Sequence, residues 1–509
     1  MKCVAFSLAA VLAAGWAAHA ADQPQWGQRF TRNMVSDEKG LPASFDPASG
    51  KNIKWSVELG SETYGSPIVA NGRVFIGTNN RTPRDPKHQG DRGVLMCLDE
   101  KDGRLLWQLV VPKLGYLKVP EAEVRSSPDV YLDWPGAGLC SPPTVEGDRV
   151  YVVTNRNEIV CLDIHGMANG NDGPFKDEGA MMTPDNAARM EPGLLDADVI
   201  WRFDLVEEGG IYPHDSGFGS ILLVGDLLYV NSGNGVDNTH RRIRRPDAPS
   251  LVVLDKKTGR FVARDRENMG PRTVHCTWSS PAIGDAGGRT MVIFGGGDGA
   301  VYAFEPVEDT GEFQTLRRIW RLDCDPDAPT DDVHNYMGNR KVSASNIKSM
   351  PVLVDGLVYV TVGGDIWWGK RKAWLKCIDA VSGREVWSYE LSDRCCSTPS
   401  IADGLVYVAD SGRTVHCVDA RTGRAVWTHQ TRAEMWASTM VADGKVFIGT
   451  RKGDFHILAA GREKKVLAEV EFGEQIAGTA TAANGVLYVA AMTRLWAIQE
   501  GAADANVKK

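Results

Sequence analysis

Apolar residues alternate with polar or small ones in short runs along nearly the whole chain, and the runs are separated by turn dipeptides rather than helix caps. The segments GSPIVANGRVFIGT (65–78), STPSIADGLVYVAD (397–410) and ASTMVADGKVFIGT (437–450) repeat one design. Each predicts a short strand, a tight turn on Asn-Gly or Asp-Gly, and a second strand rich in β-branched and aromatic residues. A further signature follows in CLDEKDGRLLW (97–107), CIDAVSGREVW (377–387) and CVDARTGRAVW (417–427), with VLDKKTGRFVA (253–263) as a variant lacking the tryptophan. There a strand ends in Asp, the chain turns through Gly, and a last strand carries Trp.

Four short antiparallel strands per unit, repeated at roughly 40–60 residues, predict the blades of a β-propeller. Units starting near Gly65, Ser141, Gly219, Ser279, Ser349, Ser397, Ala437 and Gly478 make eight blades. The last unit, 478–499, holds three strands, whereas NIKWSVEL (52–59) carries a last-strand Trp ahead of the first complete blade. An N-terminal strand therefore completes the last blade and closes the ring, which removes a free sheet edge. The expected fold is all-β: an eight-bladed propeller of four-stranded antiparallel blades over 53–499. An arm at 21–52 packs on the ring through Trp26, and 500–509 is expected to be a disordered polar tail.

Composition changes this picture at the ends and in the cysteines. Residues 1–20 have a Lys2 n-region, an apolar Ala-rich stretch and Ala18-His19-Ala20, the pattern of a cleaved signal peptide, so a periplasmic or secreted location is expected. Ala21 rather than Cys follows the cut, which points away from a lipid anchor, and no later apolar stretch is long enough to span a bilayer. A net charge of -8 disfavours nucleic acid or an anionic membrane as partner, and the basic run HRRIRRPD (240–247) reads as a solvated loop. Of ten cysteines Cys3 leaves with the signal peptide, and the odd remainder leaves at least one unpaired in an oxidising compartment. Cys97, Cys161, Cys377 and Cys417 share one third-strand position and are expected as small core residues.

Propeller topology puts the loops between second and third strands, and those leading into the inner strands, on one face. The insertions at 79–93, 231–250 and 363–374, and the long lead-ins at 111–138 and 323–346, all fall there. That decorated face is the expected binding face, for a small-molecule ligand or a protein partner. Aligning the blades places Tyr64, Cys140, Phe218, Trp278, Lys348, Cys396, Trp436 and Ala477 around the channel mouth. Such a ring suits a flat organic ligand; the alternative is a set of side chains that plug the channel. His214 and His275, each close to an inner-strand start, are candidate acids or bases, with a hydrogen-bonded structural histidine as the alternative. The insertion DIHGMANGNDGPFKDE (163–178) offers Asn171, Asp172 and Asp177 as ligands for a structural calcium ion, or is simply a turn-rich solvated segment.

The Asp-x-x-(Thr/Ser/Asp)-Gly-x-x-x-Trp step resembles the pyrroloquinoline-quinone (PQQ) repeat. That repeat occurs in quinoprotein alcohol dehydrogenases and in the propeller lipoprotein of outer-membrane β-barrel assembly. The resemblance covers essentially all of 53–499 and implies the fold, without implying quinone binding. The dehydrogenases hold a vicinal disulfide against their quinone, and Cys395-Cys396 in SDRCCSTPS (392–400), with Arg394 beside them, is similar. Consecutive Cα atoms lie only ~3.8 Å apart against a usual ~4.4–6.8 Å across a disulfide, so such a ring would be strained; two neighbouring thiols are the alternative. Asn234 in Ser-Gly-Asn matches the calcium-binding Asn of those enzymes. No Gly-Ala-Glu precedes it to supply the calcium-binding Glu, and Gly296 stands where their catalytic Asp is expected. Asp298, nearby but out of register, and Asp215 in YPHDSGFGS are the substitute candidates for the base.

Two functional readings follow. The first is an exported ligand- or protein-binding scaffold that works through its decorated face. The second is a dehydrogenase dependent on PQQ and calcium or a lanthanide, with rearranged site residues. The missing carboxylates favour the first.

Overall fold

In the computed structural model, residues 21–113, 134–184, 187–215 and 217–503 are described. The expected signal peptide, most of the 111–138 lead-in and the end of the tail lie outside them. The described residues form eight sheets, seven of which contain four antiparallel strands in chain order, with the short strand Gln314–Thr315 of the fourth unit lent in parallel to the third. The eighth joins Thr481–Ala483, Val486–Ala490 and Arg494–Ala503 to the N-terminal strand Lys51–Glu58, with Trp55 opposite Ala497 and Glu58 opposite Arg494. The ring is thus an eight-bladed propeller closed as the repeat count predicts. The last strand continues to Ala503, opposite Lys51, so pairing extends into the stretch expected to be a tail.

Alternation along each strand decides where the core sits. One set of side chains packs on the preceding blade and the other on the following one, so apolar clusters lie between successive blades. Phe75, Leu95, Cys97 and Trp107 of the first blade meet Val150, Val160 and Leu162 of the second, and the pattern recurs around the ring. The repeated cysteines fill these seams and are buried.

The repeat signature has a physical cause at the same seams. The indole N–H of Trp55, Trp107, Trp201, Trp320, Trp387 and Trp427 donates to a main-chain carbonyl of the next blade, at 2.8–3.0 Å. The turn glycine of that next blade lies flat under the ring: a Cβ on Gly103, Gly259, Gly383 or Gly423 would come within 3.0 Å of the tryptophan. These glycines also have φ of 67 to 76°, the left-handed region. Gly423→Ala is expected to destabilise by about 2 kcal/mol, from left-handed strain together with contact on Trp387. Urea unfolding checks it, and a change below a few tenths of a kcal/mol would sink this account of the repeat.

The N-terminal arm is more than an external strap. Its residues 23–36 bond to every blade in turn near the middle of the inner strand. The carbonyls of Gln23, Pro24, Phe30, Thr31 and Met34 accept from the N–H of Val69, Val145, Ile283, Leu353 and Val441. Asn33 bonds Ile401 in both directions at 2.8 Å, Ser36 donates to Ala482 O, and Val35–Ser36 pairs in parallel with the inner strand Met440–Ala442. Arg32, fully buried, supplies the third blade by donating to Ser220 O at 3.1 Å and Ser220 Oγ at 3.3 Å. The arm therefore circles the axis and floors the channel, leaving it open toward the decorated face.

Candidate functional site

Above that floor lies a cavity of about 430 Å³. All eight residues of the aligned set, Tyr64, Cys140, Phe218, Trp278, Lys348, Cys396, Trp436 and Ala477, line it. Each stands a few residues ahead of an inner strand, so eightfold pseudosymmetry delivers one side chain per blade to the axis. The walls are aromatic: Phe218 packs on Trp278 with centroids 4.6 Å apart, and Tyr64 stacks with Trp436 at 6.5 Å. Trp26 of the arm joins them, and its indole N–H is buried without a hydrogen-bond partner. The insertions add a rim, with Ile366, Trp367 and Trp368 from one loop and His240 from the basic run that read as a solvated loop. Trp367 meets both Trp278 and Trp436 edge-on, at 5.5 and 5.7 Å.

The main charge in this apolar cup is a buried ion pair. Lys348 Nζ lies 3.0 Å from Asp365 Oδ2 and 3.9 Å above the Trp278 ring. Burial is the largest single influence and works against both charges, but the surrounding groups together outweigh it: Lys348, His275 and the Trp367 N–H hold Asp365 well below the usual carboxylate range, and Asp365 with its neighbours raises Lys348. Asp365 Oδ1 also accepts from the N–H of Trp367 at 3.0 Å and of Trp368 at 3.3 Å, which fixes the rim loop. Two blades further round, Arg451 lies 3.8 Å over the Trp436 ring and is held by Glu434 at 2.5 Å.

Cys395 and Cys396 are separate thiols in this structure, as are the other described cysteines, so the vicinal disulfide is not formed. Cys395 Sγ faces Ala409 O at 3.2 Å, inside the seam between blades, and Cys396 Sγ faces Trp436 O at 3.5 Å at the cup wall. Burial pushes Cys396 up to about 12 and Cys395 well above its usual value. Both are protonated near neutrality, and neither is an activated nucleophile.

Other candidates stand elsewhere. Asp298 is away from the cup, its carboxylate held by Arg272 at 2.8 Å and by Tyr302 Oη at 2.7 Å. Asn234 is buried and bonded at both ends of its amide: Oδ1 accepts from Tyr212 N at 3.0 Å and Nδ2 donates to Arg245 O at 3.1 Å. Its amide oxygen is therefore committed to the main chain, and its part is to shape the 212–215 segment. Arg394 turns away to Asp393 and to Asp365 O. In the 163–178 insertion the three expected ligands contact the protein's own groups. Lys176 Nζ sits 2.6 Å from Asn171 Oδ1, Arg189 lies 2.5 Å from Asp177, and Asp172 accepts from Asn169 at 3.0 Å.

Asp215 does line the cup, and with it comes a histidine group. His214, His240 and His275 each bring a ring nitrogen within 4.8 Å of the others. His214 and His275 were visible in the sequence as residues near inner-strand starts. His240, Trp367, Trp368 and Asp365 were not, because they lie on inserted loops that no repeat register predicts. The signal available was their type: two adjacent tryptophans and a histidine within loops on the binding face.

Fold and cup define the class as an eight-bladed β-propeller whose channel is floored by its own arm and opens into an aromatic cavity on one face. The chain belongs to the PQQ-repeat family described as outer membrane protein assembly factor BamB, which it matches over 30–133, 91–167 and 298–506. A comparison with curated proteins gives no match. Among solved structures, BamB from Moraxella catarrhalis is similar at 13% identity and a TM-score of 0.52, covering 88% of this chain and 98% of that one. The quinohemoprotein alcohol dehydrogenase of Comamonas testosteroni is similar at 12% and 0.58, covering 95% and 81%. A europium-containing methanol dehydrogenase is similar at 13% and 0.56, covering 93% and 90%. At these identities the likeness establishes the fold.

Proposed function

We propose that the protein is an exported scaffold that binds a flat, largely apolar organic ligand in the channel-mouth cup. The observation that supports this is the cavity of about 430 Å³ with an aromatic or thiol side chain from most blades and a few convergent polar groups. Trp278, Trp436, Tyr64 and Phe218 would stack on the ligand, Lys348 and the unpartnered Trp26 N–H would meet its acceptors, and Trp367 and Trp368 would close over it. Export follows from the 1–20 pattern, and no helix among the described residues is long and apolar enough to cross a membrane.

The quinone-dehydrogenase reading needs a cation beside the quinone and a carboxylate base. Asn234 and Asp298, the residues that sequence comparison offered, are committed elsewhere and do not fit those roles. A planar quinone remains a candidate ligand for the cup; of the two carboxylates offered as a base, only Asp215 lines it.

The test is a ligand panel that includes PQQ with calcium or a lanthanide, read by intrinsic tryptophan fluorescence alongside dye-linked oxidation of alcohols and sugars. Saturable quenching without turnover is expected, with Trp278→Ala weakening affinity roughly tenfold or more. Turnover would overturn the scaffold reading, and absence of any binding would remove the ligand.

A further inference from the structure

We infer that His214, His240 and His275 form a binding site for a divalent transition-metal ion on the cup wall, with Asp215 as its fourth protein ligand. The argument starts from proton positions. His214 Nδ1 lies 2.7 Å from Val236 O and His240 Nδ1 lies 3.1 Å from Asn238 O, so both nitrogens donate and both Nε2 atoms carry lone pairs. His214 Nε2 and His275 Nε2 face each other at 2.7 Å. A proton or a cation has to lie between them. His275 Nδ1 lies 3.4 Å from Asp365 Oδ2 and 3.5 Å from Lys348 Nζ; in the tautomer that turns its N–H to the carboxylate, Nε2 is bare for a metal. All three rings then show the arrangement of metal-bound histidines, in which the second nitrogen donates to a carbonyl or carboxylate.

Two nitrogens on one tetrahedral ion, each at about 2.0–2.1 Å, lie roughly 3.3 Å apart, so the facing pair has to open by about half an ångström. Asp215 Oδ2 stands 3.8 Å from His214 Nε2 and 3.9 Å from His275 Nε2. Asp215 is held at φ 62°, a left-handed conformation at the site itself. The three segments meet by main-chain bonds: Gly235 N donates to Tyr212 O and Val236 N to His275 O. A Cβ on Gly235 would lie 2.6 Å from His275 O and 2.7 Å from His214 Cβ, so only glycine lets these histidines approach.

Three imidazoles and one carboxylate suit zinc, copper, nickel or cobalt rather than calcium. The two carboxylates, Asp215 and Asp365, balance the ion against the nearby Lys348. Asp215, His240 and His275 all line the cup, so the site adjoins the space a ligand would fill. Two other histidine groups are less suited: Lys87 already occupies Asp196 beside His88, and His456 Nε2 is taken by Asp454 at 3.0 Å while Glu469 is exposed.

Chelator-treated full-length protein titrated with Co²⁺ tests the site through the visible bands of cobalt bound to nitrogen. One ion per chain is expected, with affinity falling at least tenfold in His240→Ala and unchanged in Glu469→Gln. His240 is half-buried on a loop, so the variant retains the propeller. Independently, diethyl pyrocarbonate should modify His240 in the metal-free protein and not in the cobalt-loaded one, as read by peptide mass. Absence of cobalt uptake, uptake indifferent to His240→Ala, uptake lost in Glu469→Gln, or equal modification of His240 in both forms would each overturn the proposal.

Discussion

Replacing Arg32 by Ala is expected to destabilise the protein by about 3–5 kcal/mol and to free the N-terminal arm for proteolysis. The guanidinium is fully buried and has no carboxylate partner; burial lowers it to about 9. It is held by oxygens alone: Pro281 O at 2.9 Å, Ser220 O at 3.1 Å, Trp26 O at 3.2 Å and Ser220 Oγ at 3.3 Å. These acceptors belong to the arm itself and to the third and fourth blades. Truncation leaves three buried carbonyls without a donor, each worth about 1–3 kcal/mol, with partial relief from water entering the space. The arm's turn also depends on close packing, since a Cβ on Gly27 would lie 2.7 Å from Arg32 O. The measurement is denaturant unfolding combined with limited trypsin digestion and mass analysis of the N-terminal fragments. An unfolding midpoint within experimental error of the wild type, with the arm still protected, would show that the arm is not keyed by this residue. Arg32→Lys is expected to fall between the two, because one ammonium cannot reach all four oxygens.

The sequence made the ring legible and the arm illegible for one reason. Blade strands are specified by side-chain alternation and by the glycine under each tryptophan, and both leave a periodic trace. The arm is held chiefly through its own carbonyls, which carry no residue signature, so PQWGQRFTRNMVS showed only Trp26 as a plausible anchor. The cup was readable in the same partial way. Register along the inner strands placed eight side chains at the mouth, from Tyr64 to Ala477, because the repeat fixes where each strand begins. His240, Asp365 and the Trp367-Trp368 pair sit on insertions whose path depends on tertiary contacts, such as Asp365 Oδ1 with the Trp367 and Trp368 N–H groups. Composition left the 163–178 insertion open between a cation site and a turn-rich solvated segment. Lys176 and Arg189 were in or near the same segment, and they take the oxygens a calcium ion would need. Asp298 failed as a base for a related reason: its neighbours Arg272 and Tyr302 come from elsewhere in the same blade and its lead-in, and they satisfy it completely.

Asp365→Asn is expected to destabilise by about 3–5 kcal/mol, because it strands the Lys348 ammonium in the apolar cup. Both side chains are nearly inaccessible, at 0% and 1% exposure, so solvent does little to screen the loss. The substituted amide can still accept from Trp367 N, but it turns a donor toward Lys348 or gives up the contact from Asn346 Nδ2 at 3.0 Å. Lys348→Met is expected to be milder, about 1–3 kcal/mol, since Asp365 keeps Asn346 and the Trp367 and Trp368 N–H groups as donors. The double variant Lys348→Met with Asp365→Asn should then be more stable than Asp365→Asn alone, with a coupling of roughly 2 kcal/mol or more. A urea-unfolding cycle over the four proteins measures this directly. Strict additivity would mean that the two charges do not sense each other, and the ion pair would lose its place as the organiser of the cup. The same cycle separates charge from shape at the binding face. If the pair serves to hold the rim loop over the cavity, tryptophan fluorescence should shift in Asp365→Asn, where the main-chain contacts loosen. In Lys348→Met, where only the ammonium above Trp278 is gone, the rim should keep its geometry.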